Sequence, residues 1–380
     1  MNKISVEPII LAIDTSCDDT SVAVLRGRRV FSSVISSQIE LHKKWGGVVP
    51  DIARRAHQEN IGKVYQEALK RAGIKEADIE FVAVTYGPGL AIALEVGVDF
   101  AKNLAYRLKI KLVPINHMEG HMLASFILNK NNKGAIELNK EKEIFPALGL
   151  LMSGNHTEII YAKALGDYEV LGETLDDAAG EAFDKVARMM DVGYPGGPII
   201  TLLAGRASDK WSDARTGAIA RGDNKPLSGI AGRFGLPIPM INSGDLNFSY
   251  SGLKTACLYR IKALRAIHKK DTVWSYDLAR EFINAVSKSL GFKLKRAIKN
   301  HPEIRSVMIG GGVSNNLYIV REIGALVRKL GKRYLIPEAR FRSDNGGMIG
   351  IAAYYNIINK KNWIEGEEIL KLDRKPMLHL

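Results

Sequence analysis

Near the start of the chain two apolar runs, PIILAI and SVAVL, flank the polar stretch DTSCDDT. Short apolar runs separated by turn residues read as the paired strands of a β-hairpin. A third strand is predicted over residues 30–35. From 56 to 72 the period lengthens, with Ile61, Val64, Tyr65, Ala68 and Leu69 falling on one face of a helix. FVAVTYG reads as the next strand, a Gly-Pro-Gly turn opens another helix, and the strand KLVPIN delivers His117. Strands alternating with helices predict a largely parallel or mixed sheet with covered faces. Residues 129–143, polar and charged, read as a surface connection.

The second half opens as the first does. FPALGLLMSGNHTEIIYA again sets a polar turn, SGNHT, between two apolar runs, which suggests a duplicated core. Glycine and small hydroxyl residues let a backbone approach a phosphate, and successive N–H groups can nest an anion. Either turn also fits an ordinary hairpin. The helix DDAAGEAFDKVARMM gathers Ala179, Ala182, Phe183, Val186 and Met190 on its apolar side, leaving Asp184 for a ligand or for solvent. YPGGP reads as a turn, and residues 205–250, rich in glycine, proline and asparagine, as a long loop or flap of functional interest. Helices are predicted over 252–267 and 275–299. The strand SVMIGGGV then meets the turn SNN and a further helix; a glycine turn at a strand's carboxyl end is where open α/β sheets bind ligands. Last, RSDNGGMIGIAAYYN puts Asp344 at a helix N-terminus, where capping is its plainer role.

Length and composition add that 380 residues with 46% hydrophobic content suffice for two cores. No apolar run approaches the ~18 residues of a membrane span, and the apolar segment after Pro8 ends at Asp14, too early for a signal peptide. A soluble cytoplasmic protein without a membrane role is expected. Cys17 and Cys257 stand far apart, so neither a disulfide framework nor a cysteine zinc site is indicated. The net charge of +13 attracts polyanions, nucleic acid first among them. Basic residues concentrate at Arg260, Lys262, Arg265, Lys269 and Lys270, and again at Lys288, Lys293, Lys295, Arg296 and Lys299; solvated helix faces are the alternative for both runs.

The sharpest chemical signal is HMEGHMLA. His117 and His121 stack on one helix face, where two imidazoles can reach one metal ion. A zinc protease of the H-E-x-x-H type needs its glutamate directly after the first histidine, where this chain has Met118. Glu119 points about 200° away around the helix. A metal role therefore needs a third ligand from elsewhere in the chain.

HMEGHMLA, SSQIELHKKWGGVVPDIARRAHQENI, DDAAGEAFDKVARMMDVGYPGGP, FSYSGLKTA, GGGVSNN and SDNGGMIG together resemble the TsaD family over about residues 9–358. The resemblance implies an α/β fold of the actin-like, sugar-kinase-like (ASKHA) class, two related domains around a nucleotide cleft. On that reading 1–128 is the N-terminal domain, 129–143 the connection, 144–358 the C-terminal domain with an insertion at about 205–300, and 359–380 a tail. The implied activity is transfer of threonylcarbamoyl from its adenylate, threonylcarbamoyl-AMP, to N6 of tRNA adenosine 37 in tRNAs reading codons that begin with adenine. The resemblance also implies one divalent metal ion, iron or alternatively zinc, on His117, His121 and Asp344. It places substrate contacts at Met152, Ser153, Gly154, Asn155, His156, Asp184, Gly197, Gly311, Gly312 and Asn316, and names no general base. The implied partners are tRNA and TsaB-like and TsaE-like proteins, with a homodimer as the alternative.

Three departures from the family pattern stand out. Asn155 replaces the second glycine of the usual SGGHT loop, Thr201 replaces an aspartate, and Ile92 and Glu95 alter the helix that pairs with the TsaB-like partner. A metallopeptidase and a small-molecule kinase of the actin-like class are the rival readings.

Overall fold

The computed structural model describes residues 7–128, 143–207, 234–268, 273–360 and 362–380. The connection expected at 129–143 lies outside the described residues apart from Glu143, as does much of the loop expected at 205–250. Strand β1 (Ile9–Asp14) pairs antiparallel with β2 (Asp19–Arg26), and β2 with β3 (Arg29–Ser37). On its other side β1 pairs in parallel with β4 (Phe81–Gly87), and β4 with β5 (Lys111–Asn116). The second sheet has β6 (Ala147–Met152), β7 (Thr157–Ala164) and β8 (Asp167–Glu173) antiparallel, with β9 (Ser306–Gly310) and β10 (Arg333–Leu335) joined in parallel to β6. The orders β3-β2-β1-β4-β5 and β8-β7-β6-β9-β10 are therefore one path run twice. The duplication suggested by the two hairpins holds in strand order and strand sense.

The helices are α1 (Ile39–His42), α2 (Pro50–Ala72), α3 (Ala91–Leu108), α4 (His117–Leu123), α5 (Ala179–Met189), α6 (Gly196–Gly205), α7 (Ser251–His268), α8 (Trp274–Asn300), α9 (Leu317–Lys329) and α10 (Gly346–Ile358). Helix α2 begins six residues before the expected 56, because Pro50 sits in its first turn, where a missing N–H costs nothing. Helix α6 begins at Gly196, inside the stretch YPGGP that reads as a turn in sequence, with Pro195 as its extended N-cap. Gly196 permits it, since a Cβ there would lie 2.4 Å from the Phe183 carbonyl oxygen.

One face of the first sheet buries Leu11, Ile13, Val22 and Val24 under α2 and α3. Its other face packs Ala12 and Ala23 against Met122 of α4 and Ile349 of α10, and the same core continues into Leu151 and Ile160 of the second sheet. Helices α4 and α10 thus lie between the sheets. Although α10 comes late in the chain, it packs on the first sheet, so chain order and spatial order part at this point. The far side of the second sheet buries Leu148 and Leu150 with Phe183, Phe282 and Leu290.

The basic runs on α7 and α8 divide: three of their members take partners within the chain, Lys262, Lys288, Lys295 and Lys299 stay exposed, and Lys269 and Lys270 lie outside the described residues. Lys293 is buried and donates to Asp245 Oδ1 at 3.0 Å, Arg296 holds the Ser243 and Asp245 carbonyls, and Arg265 pairs with Asp191 at 2.6 Å. Among the described residues no helix is long and apolar enough to cross a membrane.

Candidate metal centre and phosphate loop

Asn116 ends β5 and caps α4, its side chain accepting from Met118 N at 2.8 Å and Glu119 N at 3.4 Å. The cap fixes where the helix starts, and so sets His117 and His121 on one face. Their third partner arrives from the far end of the chain. The N-cap of α10 is Asn345, which accepts from Met348 N at 3.0 Å and donates to the Ser343 carbonyl at 2.7 Å. The capping role expected of Asp344 therefore falls to its neighbour, and the Asp344 carboxylate turns to the histidines. Close approach of α4 and α10 depends on Gly120, where a Cβ would stand 3.0 Å from Ile349 Cδ1 and 3.3 Å from the Met348 oxygen. Asn345→Ala is expected to cost about 1 kcal/mol of stability and to weaken metal binding ~10-fold or more by freeing the Asp344 backbone; urea titration and metal competition would measure the two effects.

The ligand atoms of His117, His121 and Asp344 all lie within 4.8 Å of one another. Asp344 Oδ1 is 3.5 Å from His117 Nε2 and 3.1 Å from His121 Nε2. The second contact is close but lacks hydrogen-bond angles: neither ring nitrogen of His121 has a hydrogen-bond partner, and His117 Nδ1 has none either. A buried polar atom left so costs on the order of 1–3 kcal/mol; a cation between the two Nε2 atoms and Asp344 would offset that cost at His121 Nε2. Two imidazoles and a carboxylate suit zinc or iron and leave coordination positions for substrate. The residues present thus fit a metal ion. Burial opposes charge on His117, but Asp344 and Asp14 outweigh it and raise its pKa to about 10. Burial lowers that of His121, while Asp344, despite its own burial, is held well below the usual carboxylate range by His117 and His121.

Asp14 is a site residue that the sequence reading passed over. It is fully buried at the end of β1, accepts from Thr85 Oγ1 at 2.7 Å and faces His117 Nδ1 at 3.5 Å. An acid ending an otherwise apolar strand was the available signal. Glu119, by contrast, accepts from Tyr168 at 3.0 Å and Asn356 at 3.5 Å, away from the histidine pair, and so is not placed as a peptidase's base.

The turn from Met152 to His156 is a tight loop: Ser153 N donates to the His156 carbonyl at 2.8 Å, and His156 N to Ser153 Oγ at 3.0 Å. The first amides of α5 hold its carbonyls, Gly180 N on Ser153 and Glu181 N on Gly154, both at 3.1 Å. The Gly154 and Asn155 amides have no partner among the described residues. Neither Gly154 nor Asn155 has a positive φ, so asparagine in place of the family's second glycine carries no backbone strain. Gly311 does, at 86°, and a Cβ there would lie 2.3 Å from the Met152 carbonyl. The glycine turn after β9 therefore presses directly on the base of the loop.

On the opposite wall Asp184 is not free: its Oδ1 accepts from Gly196 N at 2.6 Å, tying α5 to α6. Burial, with Asp18 across the cleft, raises its pKa to about 6. Thr201, the departure from the family's aspartate, donates to the Gly197 carbonyl at 2.7 Å and accepts from Asn316 at 2.9 Å. Asn316 also caps α9 through Tyr318 N and Ile319 N. Gly197 has nothing within 4 Å of a would-be Cβ, and Gly312 only Ser343 Oγ at 3.9 Å. The acids Asp176 and Asp177 of DDAAGEAF serve the scaffold, Asp176 on Tyr250 N at 2.8 Å and Asp177 on Lys254 at 2.6 Å.

The family model for TsaD, tRNA N6-adenosine threonylcarbamoyltransferase, matches residues 29–351. A protein of that description from Thermosipho melanesiensis is 42% identical over 98% of this chain and 100% of its own length. Another from Clostridioides difficile is 41% identical over 93% and 94%. Among solved structures, the ROK hexokinase of Thermus thermophilus aligns with a TM-score of 0.44 at 14% identity, covering 92% of this chain and 99% of that one.

Proposed function

The chain belongs to the TsaD family, and from that premise we propose that His117, His121 and Asp344 form the centre at which threonylcarbamoyl passes from threonylcarbamoyl-AMP to N6 of tRNA adenosine 37. Transfer of threonylcarbamoyl to a tRNA adenosine is the activity of this family, and the twin sheets are of the actin-like, sugar-kinase-like class. The observation that carries the assignment of the centre is the meeting of three ligand atoms from distant parts of the chain within 4.8 Å. A metabolite kinase would have no use for that trio.

In the reaction the N6 amine attacks the carbamoyl carbon, the bond to the AMP phosphate oxygen breaks, and the amine gives up one proton. A bound iron or zinc ion supplies Lewis-acid polarisation of the carbonyl. Asp14, facing His117 Nδ1, orients that imidazole as outer carboxylates do for ligating histidines. The outward amides of Gly154 and Asn155 receive the phosphate, while Met152, Ser153 and His156 frame the loop. Asp184 accepts from the ribose hydroxyls. Gly197 leaves room for the sugar, and Gly311, Gly312 and Asn316 line the adenosine. Positioning and electrostatics then carry most of the acceleration.

Asp184 gives this arrangement a pH signature. Its folded pKa, about 6, lies above the usual carboxylate value, so it ionises, and accepts hydroxyls best, above that pH. Adenylate affinity is expected to rise between pH 5 and 7 and to be flat over that window in Asp184→Asn, read by calorimetry. The folding contribution runs the other way: the native state holds the extra proton between about 4 and 6, so stability from this group falls as pH rises through that window.

A TsaB-like partner against α3 is proposed, with TsaE-like assistance, and homodimerisation is the competing arrangement. Glu95 on that helix pairs with Arg374 of the same chain at 3.7 Å. The whole reading is tested by nucleoside analysis of tRNA from cells lacking the gene. Threonylcarbamoyladenosine is expected to vanish and to return on complementation; its persistence in a strain with no second copy overturns the assignment.

A further inference from the structure

The segment between β3 and α2 carries chemistry that the transfer centre leaves unused. Residues 38–49 form a fixed rim rather than a slack connection. The buried His42 closes it from within, Nε2 lying 3.1 Å from Gln38 Oε1 and Nδ1 accepting from Val49 N at 3.3 Å. Gln38 N donates to the Asp18 carbonyl at 3.0 Å, which fixes the rim beside the acidic turn after β1. At its far end Arg188 of α5 donates to the Gly46 carbonyl. The rim is thus tied both to the turn next to the metal centre and to the helix that bears Asp184.

On this frame Trp45 is 57% exposed, although an indole is among the side chains most stabilised by burial. Lys43 and Lys44 flank it, with Lys44 Nζ 5.3 Å from the ring centroid. Arg54 and Arg55 stand exposed in the opening turns of α2 and take no ion pair or hydrogen bond among the described residues. Glu40 and Asp51 are the exposed acids here, and Glu40 is met by Lys43 at 3.4 Å. The patch is net positive. Arg265, Lys293 and Arg296 of the α7 and α8 runs are held by partners in the chain while Lys262, Lys288, Lys295 and Lys299 stay exposed, so the rim is a second basic surface beside that one.

We propose that Trp45 is a stacking platform for an unpaired nucleobase of tRNA beside the target adenosine, with Lys43, Lys44, Arg54 and Arg55 on the flanking phosphates. This rests on the transferase reading. An exposed, rigidly mounted indole offers a π-face to any base, and stacking of this kind is worth about 1–3 kcal/mol per base. The surrounding cations supply the salt-dependent, sequence-independent part of the affinity.

The test is steady-state transfer by Trp45→Ala, Trp45→Phe and the Lys43→Ala/Lys44→Ala double variant, in the assembly in which the wild-type chain turns over. Trp45→Ala is expected to raise KM for tRNA ~10-fold, a value within the ~5–150-fold that the stacking range implies, and Trp45→Phe to restore most of it. The double variant is expected to lower the slope of log affinity against log salt by about 2, while Trp45→Ala leaves that slope unchanged. An unchanged KM for tRNA in Trp45→Ala, with the wild type active, overturns the platform and leaves the transferase reading intact. A loss that falls on adenylate KM, or that phenylalanine fails to rescue, also overturns it. Absence of any product from the wild type strikes the transferase reading itself.

Discussion

Asp344→Ala is expected to empty the metal centre and abolish transfer while leaving the chain folded. Loss of an outer orienting group commonly costs 10–100-fold in metal affinity, so loss of a direct ligand should exceed about 100-fold. The carboxylate is 27% exposed and the adjoining helix is capped by Asn345, so the urea midpoint should hardly move. Elemental analysis of the purified variant, beside threonylcarbamoyladenosine in complemented cells, reads both effects. Full metal content in the alanine variant would remove Asp344 from the ligand set.

Gly311→Ala is expected to be the most damaging of the glycine substitutions at the nucleotide side. The residue sits at φ 86° and ψ 158°, a region open essentially to glycine alone that costs a side chain roughly 1–3 kcal/mol. Its new methyl group would also lie 2.3 Å from a backbone oxygen that cannot swing aside, adding about 1–3 kcal/mol of overpacking. The strain falls on Met152, the residue that starts the proposed phosphate loop. Thermal or urea unfolding should show a loss of about 2–6 kcal/mol, with adenylate KM raised in whatever protein remains folded. Gly312→Ala serves as the control for the stability loss alone, since its Cβ would meet nothing closer than 3.9 Å.

Local patterns in the chain foretold most of the elements. Both hairpins, the strand FVAVTYG and the helices α7 and α8 are visible because each rests on its own periodicity. Failures came where the deciding contact lies far away in sequence. Pro50 extends α2 upstream of its apolar stripe, and α6 starts inside a turn-like string at Gly196, where the Phe183 carbonyl leaves no room for a side chain. Between Asp344 and Asn345, spacing could not decide which residue caps and which binds. The fold decides it by setting Asn345 on the Met348 amide. The histidine pair was legible, but its third partner became so only through resemblance, and Asp14 became visible only once β1 and α4 were side by side. Burial of Lys293 was equally hidden, since nothing in a lysine-rich helix shows which lysine turns inward.

The repeated strand path has a consequence for ancestry. The histidines leave the last strand of one copy, β5, and Asp344 follows the last strand of the other, β10. A tandem fusion of two equal ancestors would be expected to carry two centres. Here each half supplies only part of the proposed ligand set, the histidines after β5 and Asp344 after β10, so the one centre they would form needs both halves at once.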